Sequence, residues 1–204
     1  DSLSIIVDPI SLCIDRAFTD NDSGGMMLSY SSRWKASGIE NYITKPKSVK
    51  LEKYDYESSS HSLQVVVSVI LHPKLKVEVP FELPVNYEYL FNSDGSINIS
   101  ISIKKPYNFP PLPRFGIRFS VPSTHENVKW FGLGPFESYP DRLNCCTLGK
   151  FESKVNDLHI PYIVPQENGR RSEPRWISFE DNHNNALLAI PNVKHKQSAF
   201  DSEP

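Results

Sequence analysis

The segment that most constrains how this chain can fold is residues 130–142, which read WFGLGPFESYPDR. It holds two glycines and two prolines within thirteen positions. Glycine weakens the interior of helices and strands, and proline removes a backbone donor, so the sequence predicts a shaped loop here rather than a regular element. We expect the aromatic side chains of Trp130, Phe131, Phe136 and Tyr139 to supply the burial that loops usually lack.

Length and composition indicate an ordinary globular protein. The 204 residues suffice for one large domain or two small ones, and 39% of them are hydrophobic. A formal net charge of -2 gives no reason to expect nucleic acid or a membrane as a partner, and no apolar run approaches the ~18 residues that a membrane span needs. The chain starts without methionine and without the pattern of a signal peptide, so we expect it to be a piece of a longer polypeptide.

The three cysteines favour a reducing compartment. Their number is odd, and a disulfide between the adjacent Cys145 and Cys146 would strain the backbone. We therefore expect buried, reduced thiols and a cytoplasmic protein. Two glycosylation sequons, which begin at Asn21 and Asn98, would instead favour a secreted protein, but such triplets arise often by chance.

The 17 prolines and a series of short β-branched runs predict an all-β fold. Isoleucines alternate strictly with polar residues from Ile97 to Ile103, which is typical of a strand with one buried face. The turn residues Asp94 and Gly95 precede this strand and predict a hairpin with the run before them. The predicted strands are 62–71, 87–91, 96–103, 115–121, 176–179 and 186–190, the last two forming a further pair.

The spacing of these strands predicts how they assemble. Strands recur about every ten residues with no convincing helical period, which indicates a large antiparallel β-sandwich. We expect one domain over residues 1–204, with an extended crossover at 106–113 whose Tyr107 and Phe109 pack against a sheet. A polar run without a closing strand follows Ile190, so we expect a domain that is truncated at its C-terminal end.

Four sequence blocks resemble the β-galactosidases of glycoside hydrolase family 2. Residues 132–142 are similar to the family's Gly-Leu-Gly-Pro-x-Glu-x-Tyr-Pro-Asp-Arg signature. Residues 16–22 resemble its Arg-Ala-Pro-Thr-Asp-Asn-Asp element, with Phe18 in place of the usual proline. Residues 33–38 resemble its Arg-Trp-Lys-x-x-Gly run, and residues 161–171 resemble its Pro-Tyr-x-x-Pro-x-Glu-Asn-Gly segment. The four blocks occur in the family's order and span most of the chain.

The resemblance implies both a fold and a context. The implied fold is a supersandwich, a large antiparallel β-sandwich related to galactose mutarotases, which forms the last domain of an enzyme with an upstream (β/α)8 barrel. The implied partners are the rest of that polypeptide with its catalytic barrel, the β-galactoside substrate and further copies in a homo-oligomer. The magnesium and sodium ions of such enzymes draw their ligands from other domains, so we expect no cofactor and no metal in this chain.

No carboxylate pair in the chain has a catalytic context. Retaining glycosidases need two carboxyl groups ~5–5.5 Å apart. Asp20 and Asp22 would face one side of a strand, but nothing indicates that they meet across a substrate. We expect Glu137, Asp141 and Glu167 to be structural, as buried carboxylates paired with nearby arginines. The resemblance agrees, because it implies that the nucleophile and the acid/base are barrel glutamates, and we assign no catalytic residue.

Other chemistries lack their motifs as well. A serine hydrolase would need a Gly-x-Ser-x-Gly elbow, and the six histidines have no metal-ligand spacing. A mutarotase would need a histidine acid and a glutamate base; Glu167 with His159 or His183 has the residue types, but no motif supports such a pair. The motif residues that we expect to hold the fold are Arg16, Asp20, Asn21, Asp22, Trp34, Glu137, Tyr139, Asp141, Arg142, Tyr162, Glu167, Asn168 and Arg171.

The best candidate for a functional segment is residues 23–32. The resemblance implies a mobile loop at this position that reaches the active site and controls substrate access. Gly24 and Gly25 could serve as a hinge, and Met26, Met27 and Tyr30 as adaptable contacts. A surface connection with two half-buried methionines is the alternative.

Three functions are compatible with these observations. The first is a non-catalytic C-terminal domain of a β-galactosidase, which hydrolyses terminal β-D-galactosides with retention, and here the domain supports the barrel, substrate access and assembly. The second is a stand-alone carbohydrate-binding module of the same fold. The third is a separate small subunit of a two-chain β-galactosidase. The length of the natural reading frame separates the first function from the other two.

If residues 23–32 form an access loop, replacing Gly24 and Gly25 by Ala in the natural polypeptide should change kcat and KM together, because a hinge governs closure and release. Stability should change less, since a mobile connection contributes little buried area. Steady-state kinetics and a melting curve of the double variant test this prediction. Wild-type kinetics with wild-type stability would contradict it, whereas lost stability with normal turnover would indicate a fixed turn.

Overall fold

The computed structural model describes residues 6–24, 29–55, 62–107 and 109–192. The chain divides into two compact units. One unit is Ser11–Arg118, and the other combines the residues before Ser11 with those from Phe119 onward. The expectation of one domain over residues 1–204 stays a prediction.

The first unit is built on a four-stranded antiparallel sheet. The strands of this unit are β1 (Ser11–Cys13), β2 (Tyr42–Asp55), β3 (Ser62–Pro73), β4 (Leu83–Asn92), β5 (Ile97–Ile103) and β6 (Gly116–Arg118). Strands β2 to β5 are hydrogen-bonded to one another in that order, and β1 pairs with β6. Two helices, α1 (Asp20–Ser23) and α2 (Tyr30–Ser37), lie between β1 and β2 in the sequence.

The β4–β5 hairpin confirms the prediction made from the isoleucine alternation. Its turn places Gly95 at φ +83°, and the Asp94 carboxylate accepts a hydrogen bond from the Ser96 N–H at 2.9 Å. Glycine suits this backbone conformation because it has no Cβ. The predicted strands at 62–71 and 87–91 are confirmed as parts of β3 and β4, whereas the run at 115–121 supplies only the three residues of β6.

One face of the four-stranded sheet forms much of the first unit's core. Side chains alternate along a strand, so Leu83, Val85 and Tyr87 of β4 share a face, and all three are buried. Trp34 of α2 and Phe109 of the crossover belong to the same core cluster. The expectation that both crossover aromatics are packed is therefore confirmed for Phe109 and wrong for Tyr107, whose side chain is fully exposed.

Strand β2 forms one edge of the described sheet. Its pairing with β3 shifts register twice, between Pro46 and Ser48 and between Leu51 and Lys53. Such β-bulges bend a strand and increase its twist. The sequence did not predict β2, because Pro46 and the lysines interrupt the apolar alternation.

Two short helices in the first unit also escaped prediction. Helix α1 has four residues and α2 has eight, which are too few to establish a helical period. Ser29 caps α2 by accepting a hydrogen bond from the Ser32 N–H at 3.2 Å, and Gly38 ends it at φ +71°. Asp20 and Asp22 would share one side only in a strand, and both belong instead to α1. Within the described ranges, no helix has the length and apolarity to cross a membrane.

The second unit contains another four-stranded antiparallel sheet. Its strands are β7 (Asn127–Gly134), β8 (Thr147–Lys154), β9 (Trp176–Glu180) and β10 (Ala186–Ala189), hydrogen-bonded in the order β10-β9-β7-β8. A short 3-10 helix (Val155–Leu158) follows β8. The predicted pair at 176–179 and 186–190 is confirmed as β9 and β10. In their turn, the Asp181 carboxylate accepts hydrogen bonds from the backbone N–H groups of His183 (2.7 Å) and Asn185 (2.9 Å).

The prediction of a loop over the whole of residues 130–142 is wrong, because β7 continues to Gly134. Both glycines of this strand lie where other atoms come very close. A Cβ at Gly132 would lie 2.9 Å from the Cα of Pro174, and a Cβ at Gly134 would lie 2.6 Å from a ring carbon of Phe151. Packing rather than a turn therefore requires glycine at these two positions.

Antiparallel strands make up most of the regular structure in each unit. The predicted all-β, antiparallel, sandwich-like fold class is therefore confirmed. The closer relationship to supersandwich domains and galactose mutarotases stays a prediction.

Replacing Gly132 by Ala should lower the free energy of unfolding by about 1–3 kcal/mol, because the new Cβ would press on the backbone of Glu173 and Pro174. Gly116→Ala in β6 is the matched control, since no atom lies within 4 Å of a Cβ built there. Urea unfolding of both variants tests the prediction. Equal stability of the two variants would contradict the close-approach explanation.

Candidate functional site

The most elaborate polar site in the described chain surrounds the carboxylate of Glu137, in the irregular segment that follows β7. Glu137 is only 6% exposed. Its Oε1 accepts hydrogen bonds from Arg142 Nη2 and from the Tyr162 hydroxyl. Its Oε2 accepts from the Gly169 N–H at 3.0 Å and from the Tyr139 hydroxyl at 3.3 Å. Four donors therefore converge on one buried carboxylate, and we call this group the Glu137 centre.

Electrostatics keep the Glu137 carboxylate ionised. Burial acts to raise its pKa, because burial disfavours the charged form. The hydrogen bonds from Tyr162, the Gly169 N–H and Arg142, together with the positive charge of Arg142, outweigh burial and hold the pKa of Glu137 below its usual value. Burial raises the pKa of the Tyr139 hydroxyl, which stays a proton donor.

The backbone around the Glu137 centre is joined by further hydrogen bonds. The Ser138 N–H donates to the Arg170 carbonyl at 2.8 Å. The Ser172 N–H donates to Ser138 Oγ at 2.8 Å, and the Ser172 hydroxyl donates to the Ser138 carbonyl at 2.9 Å. Ser138 is completely buried. These bonds join the segment after β7 to the segment before β9. The first segment belongs to the block 132–142 and the second includes the end of the block 161–171, both of which resemble family motifs. The two serines escaped the sequence analysis, because serine is common in every loop.

Arg171 lies beside this centre but forms no ion pair within the described residues. Its guanidinium carbon lies 5.2 Å from the centre of the Trp130 ring, and its Nη1 donates to the Gly169 carbonyl at 3.1 Å. Burial lowers the pKa of Arg171 from its usual value. The contact with the indole is a cation–π interaction, which compensates a partly desolvated guanidinium.

The remaining predicted residues of this region occupy less central positions. Asp141 is exposed, and the described residues contain no ion pair between it and Arg142, so the expectation of a buried, paired Asp141 is wrong. Glu167 is half-buried, as is Asn168, whose side chain accepts from the Ile160 N–H at 3.1 Å and donates to the Ile160 carbonyl. Phe136, which we expected to be buried, is largely exposed.

A second ion pair lies in the first unit, at the start of α1. Arg16 Nη2 donates to Asp22 Oδ1 at 2.9 Å, and Arg16 Nη1 donates to Asp22 Oδ2. The Thr19 N–H (2.8 Å) and hydroxyl (2.9 Å) also donate to Asp22 Oδ2. Burial acts to raise the pKa of Asp22, but these hydrogen bonds and the charge of Arg16 outweigh it and leave the pKa lowered. Asp20 and Asn21, next to Asp22, are exposed.

Trp34 organises the aromatic side chains near this ion pair. Its ring stacks on Phe18 with centroids 5.8 Å apart and lies 5.7 Å from the Tyr30 ring. Arg16 lies over the same indole at 5.5 Å, and the Trp34 N–H donates to the Pro111 carbonyl at 2.7 Å. Phe18, which replaces the resembled family's proline, therefore has a packing role in this chain.

The proposed access segment is only partly described. Gly25, Met26 and Met27 lie outside the described residues, so their role stays a prediction. The Gly24 N–H donates to the Asn21 carbonyl at 3.3 Å, and Gly24 has an extended backbone conformation. Tyr30 is half exposed, with the Arg33 guanidinium 4.6 Å from its ring centre.

Cysteines and histidines take part in no metal-binding group within the described ranges. Cys13 is buried as expected, but Cys145 is exposed, so the expectation of three buried thiols is wrong. Burial raises the pKa of the Cys146 thiol, and the neighbouring Cys145 adds to this effect. His125 is buried, and Nδ1 of its ring lies 3.3 Å from Thr124 Oγ1. No group of three or more His, Cys, Asp or Glu side chains in the described residues could hold a metal ion.

Replacing Glu137 by Gln should lower the free energy of unfolding by about 1.5–3 kcal/mol at neutral pH, because the buried donors lose a charged acceptor. The pKa of Glu137 in the folded chain lies below the ordinary 4.5, so its carboxylate stabilises the fold above that pH and loses this effect as the pH falls through the lowered pKa. The difference between wild type and variant should therefore shrink below pH 4.5.

Asp141→Asn is the matched control for this experiment, since Asp141 is exposed and only four residues away. It should change the free energy of unfolding by no more than about 0.5 kcal/mol. Urea unfolding of both variants between neutral and acidic pH provides the measurement. A Glu137→Gln variant as stable as the control at neutral pH would show that the Glu137 centre does not stabilise the fold.

Comparison with known proteins identifies the family of this chain. A family described as the β-galactosidase small chain matches residues 2–203. β-Galactosidases of Vibrio cholerae, Lactococcus lactis and Halalkalibacterium halodurans are 29%, 30% and 32% identical over 179, 171 and 169 residues. The alignments cover 85%, 81% and 81% of this chain but only 17%, 16% and 15% of the relatives, so the chain spans about one sixth of their length. The match over nearly all of its residues shows that this chain belongs to the β-galactosidase small-chain family.

Proposed function

We propose that this chain is a non-catalytic domain of a β-galactosidase and that the complete polypeptide hydrolyses terminal β-D-galactosides with retention. The observation that carries the non-catalytic role is the state of Glu137. A carboxylate offers about four lone-pair sites, and four donors already use them. No lone pair remains to attack a sugar carbon, and the lowered pKa leaves no proton to donate to a leaving group.

Among the described residues, no second carboxylate is hydrogen-bonded in the Glu137 centre. The groups in contact with Glu137 are an arginine, two tyrosines and a backbone N–H. Asp141 is exposed, and the other buried motif carboxylate, Asp22, is used by Arg16 and Thr19. We therefore place the nucleophile and the acid/base in the part of the polypeptide outside this chain, in a catalytic barrel that this domain supports.

The names and lengths of the relatives support the proposed parent enzyme. The relatives are β-galactosidases, and this chain matches about one sixth of each. We propose that the parent forms a covalent galactosyl intermediate on the barrel, binds magnesium and sodium through other domains and assembles as a homo-oligomer. We also propose a cytoplasmic location, which the free thiols of the three cysteines support.

A separate small subunit is the second candidate. The description of the matching family as a small chain favours it, because it implies that some members are chains of their own. The domain would then support a barrel on another polypeptide, with the same non-catalytic role. A natural reading frame that encodes the barrel upstream in the same polypeptide would exclude this arrangement.

A mechanism-based label should locate the nucleophile outside residues 1–204 of the natural enzyme. A 2-fluoro-β-galactoside with a good leaving group would transfer its sugar to the nucleophilic carboxylate, and the fluorine would slow hydrolysis of the resulting ester. Peptide mass mapping then identifies the labelled residue, and NMR of the first galactose released from an ordinary substrate should show the β anomer. A label on Glu137, Glu167 or Asp22 would overturn the non-catalytic role. Absence of β-galactoside hydrolysis by the natural enzyme would overturn the proposed parent activity.

A further inference from the structure

The sheet formed by β2 to β5 has an apolar face that is covered at one end and open at the other. The change is visible along β4, where Tyr87, Tyr89 and Phe91 form a row with ring centroids 6.4 Å apart. Tyr87 is 5% exposed, Tyr89 is half-buried and Phe91 is 38% exposed. The cover supplied by the core of the first unit therefore ends between the first and the last of these rings.

The neighbouring strands show the same open end. Register pairs Leu51 with Val65 and Phe91 with both Leu63 and Ile97, so their side chains lie on one face of the sheet. Leu51 is 64% exposed, Ile97 is 44% exposed and Val49, paired with the partly buried Val67, is 71% exposed. We call this surface the open apolar face, and it consists of Val49, Leu51, Leu63, Val65, Phe91 and Ile97.

The opposite face of the same strands is more polar, although Val66, Ile70 and Leu90 also lie on it. Ser68 pairs with Asn86 and Asn86 with Ser102, and the Ser68 hydroxyl donates to Asn86 Oδ1 at 2.8 Å. Two residues further along the same two strands, Glu88 pairs with Ser100. Solvated antiparallel sheets alternate apolar and polar residues so that only one face is buried. In β5 the alternation continues through the open end, where Ile97 and Ile99 are separated by Asn98, so this end is also patterned for burial.

We propose that the open apolar face binds an apolar surface supplied by the remainder of the same β-galactosidase polypeptide, an inference that rests on the proposed function. Soluble proteins seldom expose a contiguous apolar surface of this kind unless it binds something. About five sixths of each relative lies outside the length matched by this chain, so ample polypeptide exists to cover the face. A segment of the same polypeptide is also present at high effective concentration, which favours it over a second copy.

Cysteine labelling of the natural polypeptide tests the cover. Ile97 and Asn98 are adjacent on β5 and point to opposite faces, and both are exposed in this chain. A large difference in labelling rate between the two positions would therefore require an additional surface that covers one face of the sheet. In the native polypeptide, a maleimide should modify the Ile97→Cys variant at least tenfold more slowly than the Asn98→Cys variant, with β-galactoside hydrolysis retained. Peptide mass mapping separates these sites from Cys13, Cys145 and Cys146.

A photo-cross-link identifies what covers the face. Phe91→p-benzoylphenylalanine keeps an aromatic ring on the open apolar face, and the same substitution at Leu90 places the probe on the opposite face as the control. We expect Phe91→p-benzoylphenylalanine to cross-link within one polypeptide to a peptide outside residues 1–204, and the control not to form this cross-link.

The outcomes separate this proposal from the proposed function. Equal labelling at positions 97 and 98 in a polypeptide that hydrolyses β-galactosides would overturn the docking proposal and leave the proposed function intact. Protection that is lost on dilution, or a cross-link between two copies, would overturn it in favour of self-association. A cross-link to residues within 1–204 would also overturn it. A natural polypeptide that is correctly folded but hydrolyses no β-galactoside would overturn the proposed function itself.

Discussion

An ionised carboxylate can be buried only where hydrogen-bond donors replace the water that it loses. Glu137 meets this requirement with donors from Tyr139, Arg142, Tyr162 and Gly169, which belong to separate stretches of irregular backbone. These stretches have few sheet hydrogen bonds of their own, and the Glu137 centre joins them together with the bonds between Ser138 and Ser172. The same requirement explains why two distant motifs occur together in one sequence: one motif carries the acceptor, and the other carries two of its donors.

A buried carboxylate whose oxygens are all hydrogen-bonded is consistent with the proposed supporting role of this domain. A saturated carboxylate is rigid and chemically inert, and both properties are useful in a scaffold and harmful in a nucleophile. Asp22 repeats the principle in the first unit, where Arg16 and Thr19 occupy its oxygens. Glu137 and Asp22 are thus best understood as parts of the fold, which agrees with the proposed non-catalytic role.

The sequence predicts those parts of the structure that depend on neighbouring residues. The β4–β5 hairpin follows from the alternation at Ile97–Ile103 and the turn at Gly95, and both signals are local. Which acid of the signature is buried does not follow from local sequence signals. Glu137 and Asp141 both lie within five residues of Arg142, and only the folded turn selects between them. The glycines of β7 misled the prediction for a similar reason, since the Phe151 ring that excludes a Cβ at Gly134 comes from another strand.

The interruptions in β2 have a consequence for how the molecule behaves in a crowded solution. An exposed edge strand offers unpaired N–H and C=O groups to any other extended chain, and a long, flat edge invites intermolecular sheet growth. In the described sheet, β2 is fourteen residues long, but Pro46 lacks an N–H and two register shifts bend the strand. Lys45, Lys47 and Lys50 add positive charge along the same edge. Pro46 and the register shifts, which make β2 irregular, therefore disfavour aggregation through this edge.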